Sequence, residues 1–96
     1  MAGYWVVRGS AIQDEAALQE YGKLWGPIGE RYGAELIAGK GIIDTREGVE
    51  LPRHLLVRFS SYEQAVACYE DPDYQAAMVL AHKAYDRELV ILEGSD

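Results

Sequence analysis

The sequence contains little cysteine, no concentration of basic residues and no long apolar run. Cys68 is the single cysteine, so no disulfide can form within one chain, and we expect a small buried thiol. The chain has 9 lysine and arginine residues against 16 aspartate and glutamate residues, and the net charge of −7 disfavours binding to nucleic-acid phosphates. No apolar run approaches the roughly 18 residues that a membrane span needs, and the first residues show no signal-peptide pattern. We therefore expect a cytoplasmic protein that binds neither nucleic acid nor a membrane.

Motifs for phosphate and metal binding are also absent. Gly39–Gly41 resembles part of a phosphate-binding loop, but position 34 is alanine and no serine or threonine follows Lys40. His54 and His82 lie far apart, and no paired metal-ligand spacing occurs. The sequence therefore predicts no metal site and no cofactor, although either histidine remains an open option as a haem ligand.

What the chain does contain is an alternation of strand-like and helix-like segments, within a length typical of one domain, residues 1–96. The order is strand, helix, strand, strand, helix, strand, with these bounds: Tyr4–Gly9, Glu15–Tyr32, Glu35–Glu47, His54–Phe59, Ser60–Tyr85 and Leu89–Leu92. The order predicts an α+β protein with a ferredoxin-like split βαβ arrangement (βαββαβ) and an antiparallel sheet. Because a chain this short buries a modest core, a partner subunit is expected.

The helical segments carry start, break and stop signals. Ser60–Glu63 fits a capping box, and Asp71 followed by Pro72 predicts a break with a second helix starting there. In the first helix, Pro27 predicts an interruption with a kink, and Gly33 predicts a left-handed cap. Tyrosines at helical spacing in the last helical stretch are interpreted as core: Tyr62, Tyr69, Tyr74 and Tyr85.

Several short motifs resemble, in their order and spacing, those of a family of uncharacterised bacterial proteins. They are Gly3-Tyr4-Trp5, Tyr32-Gly33, Asp71-Pro72-Asp73-Tyr74-Gln75 and Leu92-Glu93-Gly94. Together they span essentially the whole chain and are similar to the domain of unknown function 1330. The resemblance implies a dimeric α/β barrel, in which the ferredoxin-like sheets of two identical chains face each other.

The wider superfamily that this resemblance implies includes cofactor-free monooxygenases, muconolactone isomerases and haem-binding chlorite dismutases. That range shows that the fold alone does not imply one function. Many members of the family carry an arginine late in the last helix, where this chain has the stretch 78–82 without arginine. The resemblance therefore transfers no catalytic residue to this chain.

Alternation along the strands indicates a candidate site. Leu55, Val57 and Phe59 share one face of their strand, which should meet the helices, and residues 54, 56 and 58 share the other. In the first strand Tyr4 and Arg8 share a face, and in the second strand Asp44 lies on one face with Arg46. If these faces coincide with that of residues 54, 56 and 58, five side chains surround a pocket with apolar walls: Tyr4, Arg8, Asp44, His54 and Arg58.

Such a pocket would suit an organic anion. Arg8 and Arg58, with Tyr4, would bind the ligand, and His54 would transfer protons, with Asp44 as the second catalytic candidate. The alternative is that His54 begins an edge strand and that both arginines are solvated or pair with nearby acids. His82 is interpreted as a solvated residue near the end of its helix.

These observations leave three hypotheses for function. The first is a homodimer that binds a small, partly apolar or anionic organic ligand. The second is a cofactor-free isomerase or monooxygenase-like enzyme that acts on a small aromatic or lactone-like substrate. The third is a purely structural dimer in which aromatic side chains on the sheet fill the interface.

Overall fold

The computed structural model describes residues 1–95 and contains one antiparallel four-stranded sheet with three helices on one side. The strands are β1 (Gly3–Gly9), β2 (Glu35–Ala38), β3 (Arg53–Phe59) and β4 (Arg87–Glu93), in the spatial order β2-β3-β1-β4. The helices are α1 (Glu15–Arg31), α2 (Tyr62–Glu70) and α3 (Pro72–Ala84). This arrangement confirms the predicted α+β fold with a ferredoxin-like antiparallel sheet.

The helix boundaries follow the capping signals in the sequence. The Asp14 carboxylate accepts a hydrogen bond from the backbone N–H of Ala17, and the Ser61 hydroxyl accepts one from Gln64. Asp71 caps α3 in the same way, immediately before Pro72, so the predicted break is confirmed. By contrast, α1 continues through Pro27 as one helix, and the predicted interruption does not divide it.

The second strand is shorter than predicted. It ends at Ala38 rather than Glu47, after a register shift in its pairing with β3. Gly39 then adopts a φ of 142°, and a side chain there would meet the backbone oxygen of His54 at 2.7 Å. Because β2 lies at the edge of the sheet, the chain loses its single neighbouring strand when it turns away at Gly39.

Aromatic side chains hold the three helices against the sheet. The Trp5 ring lies 5.3 Å from Trp25 of α1, 6.0 Å from Tyr69 of α2 and 5.0 Å from Tyr74 of α3, measured between centroids. The Trp5 indole also donates a hydrogen bond of 3.0 Å to the backbone oxygen of Ala65. Trp5 is 2% exposed, so one residue of the central strand contacts every helix.

Cys68 belongs to this core as a free, fully buried thiol, as predicted. Burial, together with the nearby Asp71, raises the pKa of the Cys68 thiol to about 12. The thiol is therefore protonated at neutral pH and packs as a small apolar group. Within residues 1–95, none of the helices is long and apolar enough to span a membrane.

Candidate ligand-binding site

A cavity of about 640 Å³ lies between α1 and the helix-facing side of the sheet. Its walls are mostly apolar and come from both layers: Trp5, Val7, Leu55 and Val57 from the strands, and Leu18, Tyr21 and Trp25 from α1. Cavities of this size and lining are typical of sites for small organic molecules.

Three glycines of α1 line this cavity: Gly22 and Gly26 leave open space, whereas the Trp25 ring packs beside Gly29. Gly22, Gly26 and Gly29 all line it, at a spacing that places them on one face of the helix. An added side-chain carbon at Gly22 or Gly26 would have no neighbour within 4 Å. Because larger residues at these positions would fill the space, the cavity depends on the local sequence of α1.

Two arginines lie side by side at one end of the cavity. In the sheet register, Gly9 of the central strand pairs with Arg53 on one side and with Arg87 on the other. Gly9 has no side chain, and a carbon built there would lie 2.6 Å from the Tyr85 ring. The Tyr85 ring therefore occupies the space over Gly9, and the Arg53 guanidinium stacks 4.9 Å from its centroid.

The second arginine is held by two tyrosines. The Arg87 guanidinium donates a hydrogen bond of 2.5 Å to the Tyr74 hydroxyl, which lies 3.1 Å from the Tyr21 hydroxyl. The Arg87 guanidinium carbon also lies 5.5 Å from the centroid of the Tyr21 ring. Because Tyr74 is fully buried and Tyr21 lines the cavity, a chain of hydrogen bonds connects the core with the ligand space.

Both arginines retain an unused donor. The Nε atoms of Arg53 and Arg87 are buried and have no hydrogen-bond partner. Neither guanidinium forms an ion pair with a carboxylate among residues 1–95. Both guanidinium groups therefore lie beside the cavity with no carboxylate of residues 1–95 to neutralise their charge, an arrangement that suits a bound anion.

Arg87 and Tyr21 both keep their protons at neutral pH. Burial acts to lower the pKa of the Arg87 guanidinium, whereas Tyr74 and Tyr21 act to raise it, and the net shift is upward. Burial and the neighbouring Tyr74 raise the pKa of Tyr21 well above its ordinary value. The site therefore offers a permanent cation and a hydroxyl that remains a hydrogen-bond donor.

Four of the five predicted site residues lie on the opposite, open face of the sheet, as two separate pairs rather than around one pocket. Arg8 pairs in register with His54, and Tyr4 pairs in register with Arg58. The His54 ring nitrogen Nε2 lies 3.1 Å from the backbone oxygen of Leu51. These four residues share a face, as predicted, but that face points away from the cavity between α1 and the sheet.

Both arginines of the open face have acidic neighbours. Arg8 forms an ion pair of 3.0 Å with Glu88, and Arg58 lies 3.9 Å from a carboxylate oxygen of Glu35. These pairs agree with the alternative in which the arginines of this face pair with nearby acids.

Asp44 does not join the other predicted residues. It lies in the irregular segment after β2, is exposed, and accepts hydrogen bonds of 3.0 and 2.9 Å from Arg46. The expectation that a strand places it with His54 is wrong, because β2 ends at Ala38. His82 is exposed in the last turn of α3. Among residues 1–95, no group of three or more potential metal ligands comes together.

The sequence interpretation missed Arg53, Arg87 and Tyr21, although a signal was present. Arg53 has the same alternation as Leu55, Val57 and Phe59, which were assigned to the helix-facing side. An arginine at a core-facing position without an obvious acidic partner is itself a functional indication.

The fold and the cavity together define a ferredoxin-like protein with a largely apolar cavity between its first helix and its sheet. A sequence model of the domain of unknown function DUF1330 matches residues 2–95, so the chain belongs to this family, as the resemblance implied. The comparison with curated proteins finds no match.

Solved structures with the same fold carry little functional information. A protein of unknown function from Rhodopseudomonas palustris is 20% identical, with a TM-score of 0.66, over 99% of this chain and 83% of that one. A dimeric ferredoxin-like protein of unknown function from Jannaschia sp. is 17% identical, with a TM-score of 0.70, over 98% of this chain and 100% of that one. A candidate antibiotic biosynthesis monooxygenase from Nitrosomonas europaea is 13% identical, with a TM-score of 0.53, over 98% and 90%. At these identities the similarities show the fold.

Proposed function

We propose that this protein is a homodimer that binds a small, partly apolar organic anion in the cavity between α1 and the sheet. The observation that supports this most is the pair of arginines at one end of a largely apolar cavity, neither of which forms an ion pair with a carboxylate among residues 1–95. We propose that the protein is located in the cytoplasm, because its single cysteine fits a reducing compartment.

The chemistry of the lining favours a carboxylate with an aromatic or alicyclic body. A guanidinium presents parallel donors that match the two oxygens of a carboxylate. Arg53 and Arg87 line the same end of the cavity on either side of the Tyr85 ring, so a carboxylate there would meet a guanidinium at either position. The aromatic rings of Trp5, Tyr21 and Trp25 would contact the apolar part of the ligand.

The open face of the sheet is the proposed dimer interface. Its middle row crosses all four strands with apolar side chains only: Val90, Val6, Leu56 and Ala38. Val90 is 53% exposed and Leu92 is 50% exposed in the isolated chain, which is unusual for the face of a sheet. Similar proteins from Jannaschia, Bacteroides fragilis and Thermobifida fusca are described as dimeric. In such a dimer, the predicted residues Tyr4, Arg8, His54 and Arg58 would lie at the interface.

Binding is favoured over catalysis because the cavity lacks an evident base. Among residues 1–95, its lining contains no histidine or aspartate, and the one carboxylate there, Glu30, is exposed. The catalytic roles of His54 and Asp44 stay predictions.

A cofactor-free isomerase or monooxygenase-like enzyme is the second candidate, favoured by the series of hydrogen bonds from Arg87 through Tyr74 to Tyr21. The third hypothesis, a purely structural dimer, would leave the hydrogen bonds from Arg87 to Tyr21 and the arginine pair without a role.

Titration calorimetry with 2-naphthoate and its uncharged analogue 2-naphthamide tests the anion site. We expect the wild-type protein to bind the acid at least about 10-fold more tightly, since a charge-assisted hydrogen bond is worth roughly 1.5–3 kcal/mol. Arg87→Met should remove most of this preference, because methionine keeps an unbranched apolar stem and loses the charge. Arg46→Met, at an exposed arginine outside the cavity, is the matched control.

Two results would contradict the proposal. Equal affinity of the wild-type protein for the acid and the amide would show that the protein has no anion site for this ligand. Loss of naphthoate binding in His54→Ala, with Arg87→Met unchanged, would move the ligand to the open face.

A further inference from the structure

The direction of the hydrogen bonds between Arg87, Tyr74 and Tyr21 follows from their chemistry. Arginine has donors and no acceptor, so the Tyr74 oxygen must accept the bond of 2.5 Å from Arg87. Tyr74 is fully buried, and its own proton needs an acceptor. Within residues 1–95, the Tyr21 oxygen, at 3.1 Å, is the one acceptor in reach of the Tyr74 hydroxyl. Tyr74 therefore donates to Tyr21.

With this direction, the Tyr21 hydroxyl does not donate its proton to Tyr74 and can donate it to a molecule in the cavity. Tyr21 lines the cavity, and its oxygen is already occupied as the acceptor from Tyr74. Since burial raises the pKa of Tyr21, the hydroxyl keeps its proton at neutral pH. Tyr21 thus presents a donor to any molecule that occupies the space.

Most of the other polar side chains of the cavity are also hydrogen-bond donors. The polar side chains in its lining are Tyr21, Glu30, Lys40, Arg53, Tyr85 and Arg87. Three of these are cations, and the one carboxylate is exposed to solvent. A ligand rich in acceptors therefore satisfies this lining better than one that carries donors.

The separation of the donors restricts where the ligand's oxygens can lie. Two hydrogen bonds in series, of 2.5 and 3.1 Å, connect Arg87 Nη2 with the Tyr21 hydroxyl. Tyr21 is therefore within two hydrogen-bond lengths of the arginine. A carboxylate on Arg87 would place an oxygen on the second or third carbon of the acid near Tyr21.

We infer that the ligand class of this cavity is a 2-oxo or 3-oxo carboxylate with an apolar body, whose carboxylate contacts Arg87 and whose carbonyl oxygen accepts a hydrogen bond from Tyr21. This assignment rests on the proposed anion site and adds a second recognition element to it. The role of Tyr21 is to discriminate an oxo acid from the corresponding simple acid.

Phenylpyruvate and 3-phenylpropanoate test the inference, because they share a carbon skeleton and differ at the 2-oxo group. We expect the wild-type protein to bind phenylpyruvate about 3- to 10-fold more tightly, the ratio that one hydrogen bond supplies. Tyr21→Phe should bring the two affinities within about twofold of each other. Tyr69→Phe, whose hydroxyl contacts Met78 outside the cavity lining, is the matched control and should keep the preference. Circular dichroism and a thermal midpoint establish that each variant is folded.

The outcomes separate this inference from the proposal beneath it. If both acids bind the wild-type protein equally well, or if Tyr21→Phe keeps the preference, the role of Tyr21 is wrong while the anion site stands. If neither acid binds at millimolar concentration, the anion site fails and the inference fails with it. A preference for phenylpyruvate that disappears in Tyr21→Phe alone supports both.

Discussion

The two faces of the sheet carry arginines in different situations. On the open face, Arg8 pairs with the Glu88 carboxylate at 3.0 Å and remains half-exposed. On the helix-facing side, one residue further along the strand, Arg53 and Arg87 flank Gly9 without a carboxylate partner. The contrast shows that the presence of an arginine says less about binding than whether its charge is already satisfied. Under the proposal above, the arginines without a carboxylate partner among residues 1–95 are the ones that bind an anion.

The apolar residues of the two faces differ in a parallel way. The helix-facing side buries Trp5, Val7 and Phe59 in the core of one chain. The open face leaves Val90 and Leu92 about half-exposed. The first set stabilises the single chain, and the second set fits a contact with another copy.

The largest expected effect is the loss of Trp5. Trp5→Ala should lower the free energy of unfolding by about 3–5 kcal/mol, because a buried aromatic ring is replaced by a cavity. Val6→Ala, at the adjacent position on the open face, should lower it by about 1 kcal/mol. Urea denaturation followed by circular dichroism, at one protein concentration, measures both. Similar losses of unfolding free energy in the two variants would contradict the view that only the helix-facing side stabilises the single chain.

The next effect concerns the middle row of the open face. Val6→Asp should weaken the dimer about 100-fold, because two copies of a carboxylate would be brought into an apolar contact. Val79→Asp, on an exposed position of α3, is the matched control and should leave the dimer unchanged. Analytical ultracentrifugation across a micromolar range measures the dissociation constant. A wild-type protein that sediments as a monomer in this range would contradict the homodimer.

A substitution in α1 tests the helix-facing cavity. Gly22→Leu should weaken 2-naphthoate binding about 10-fold, because the added side chain enters space with no neighbour within 4 Å. The same change should stabilise the helix by about 0.5–1 kcal/mol, since glycine is a poor helix former. Gly22→Ala should give the gain in stability with little loss of binding. Unchanged naphthoate affinity in Gly22→Leu would place the ligand elsewhere.

The smallest expected effect is dependent on pH and lies outside both faces, where α1 contacts the α2–α3 junction. The Tyr32 hydroxyl, the Asp73 backbone N–H and Arg31 together lower the pKa of Asp71 below its ordinary 3.8. Its contribution to stability is therefore complete above that value and is lost as the pH falls through the lower pKa of the folded state.

Asp71→Asn should accordingly be less stable than the wild type at pH 7, and the difference should narrow as the pH falls below 4. Tyr32→Phe should show the same trend with a smaller difference, because it removes one of the hydrogen bonds to Asp71. Urea denaturation between pH 7 and pH 3 measures both. A difference that is constant over this range would mean that the charge of Asp71 does not contribute.

The sequence by itself determined the order of the elements and most of their ends. Hydrophobic alternation assigned Val57 and Phe59 to the helix-facing side, and capping residues such as Asp71 fixed helix starts, because these signals act over a few neighbouring residues. Local signals were insufficient for β2, whose sequence continues to favour a strand to residue 47 while its neighbour in the sheet is lost at Gly39.

The tertiary structure alone determined the location of the candidate site. Alternation tells which residues of one strand share a face, but the side on which space remains depends on how α1 packs over the sheet. The strand order places β1 between β3 and β4, and this order brings Arg53 and Arg87 to the two sides of Gly9. Residues distant in sequence meet there because backbone hydrogen bonding fixes the register of three strands, and the missing side chain of Gly9 gives Tyr85 its place between the two arginines.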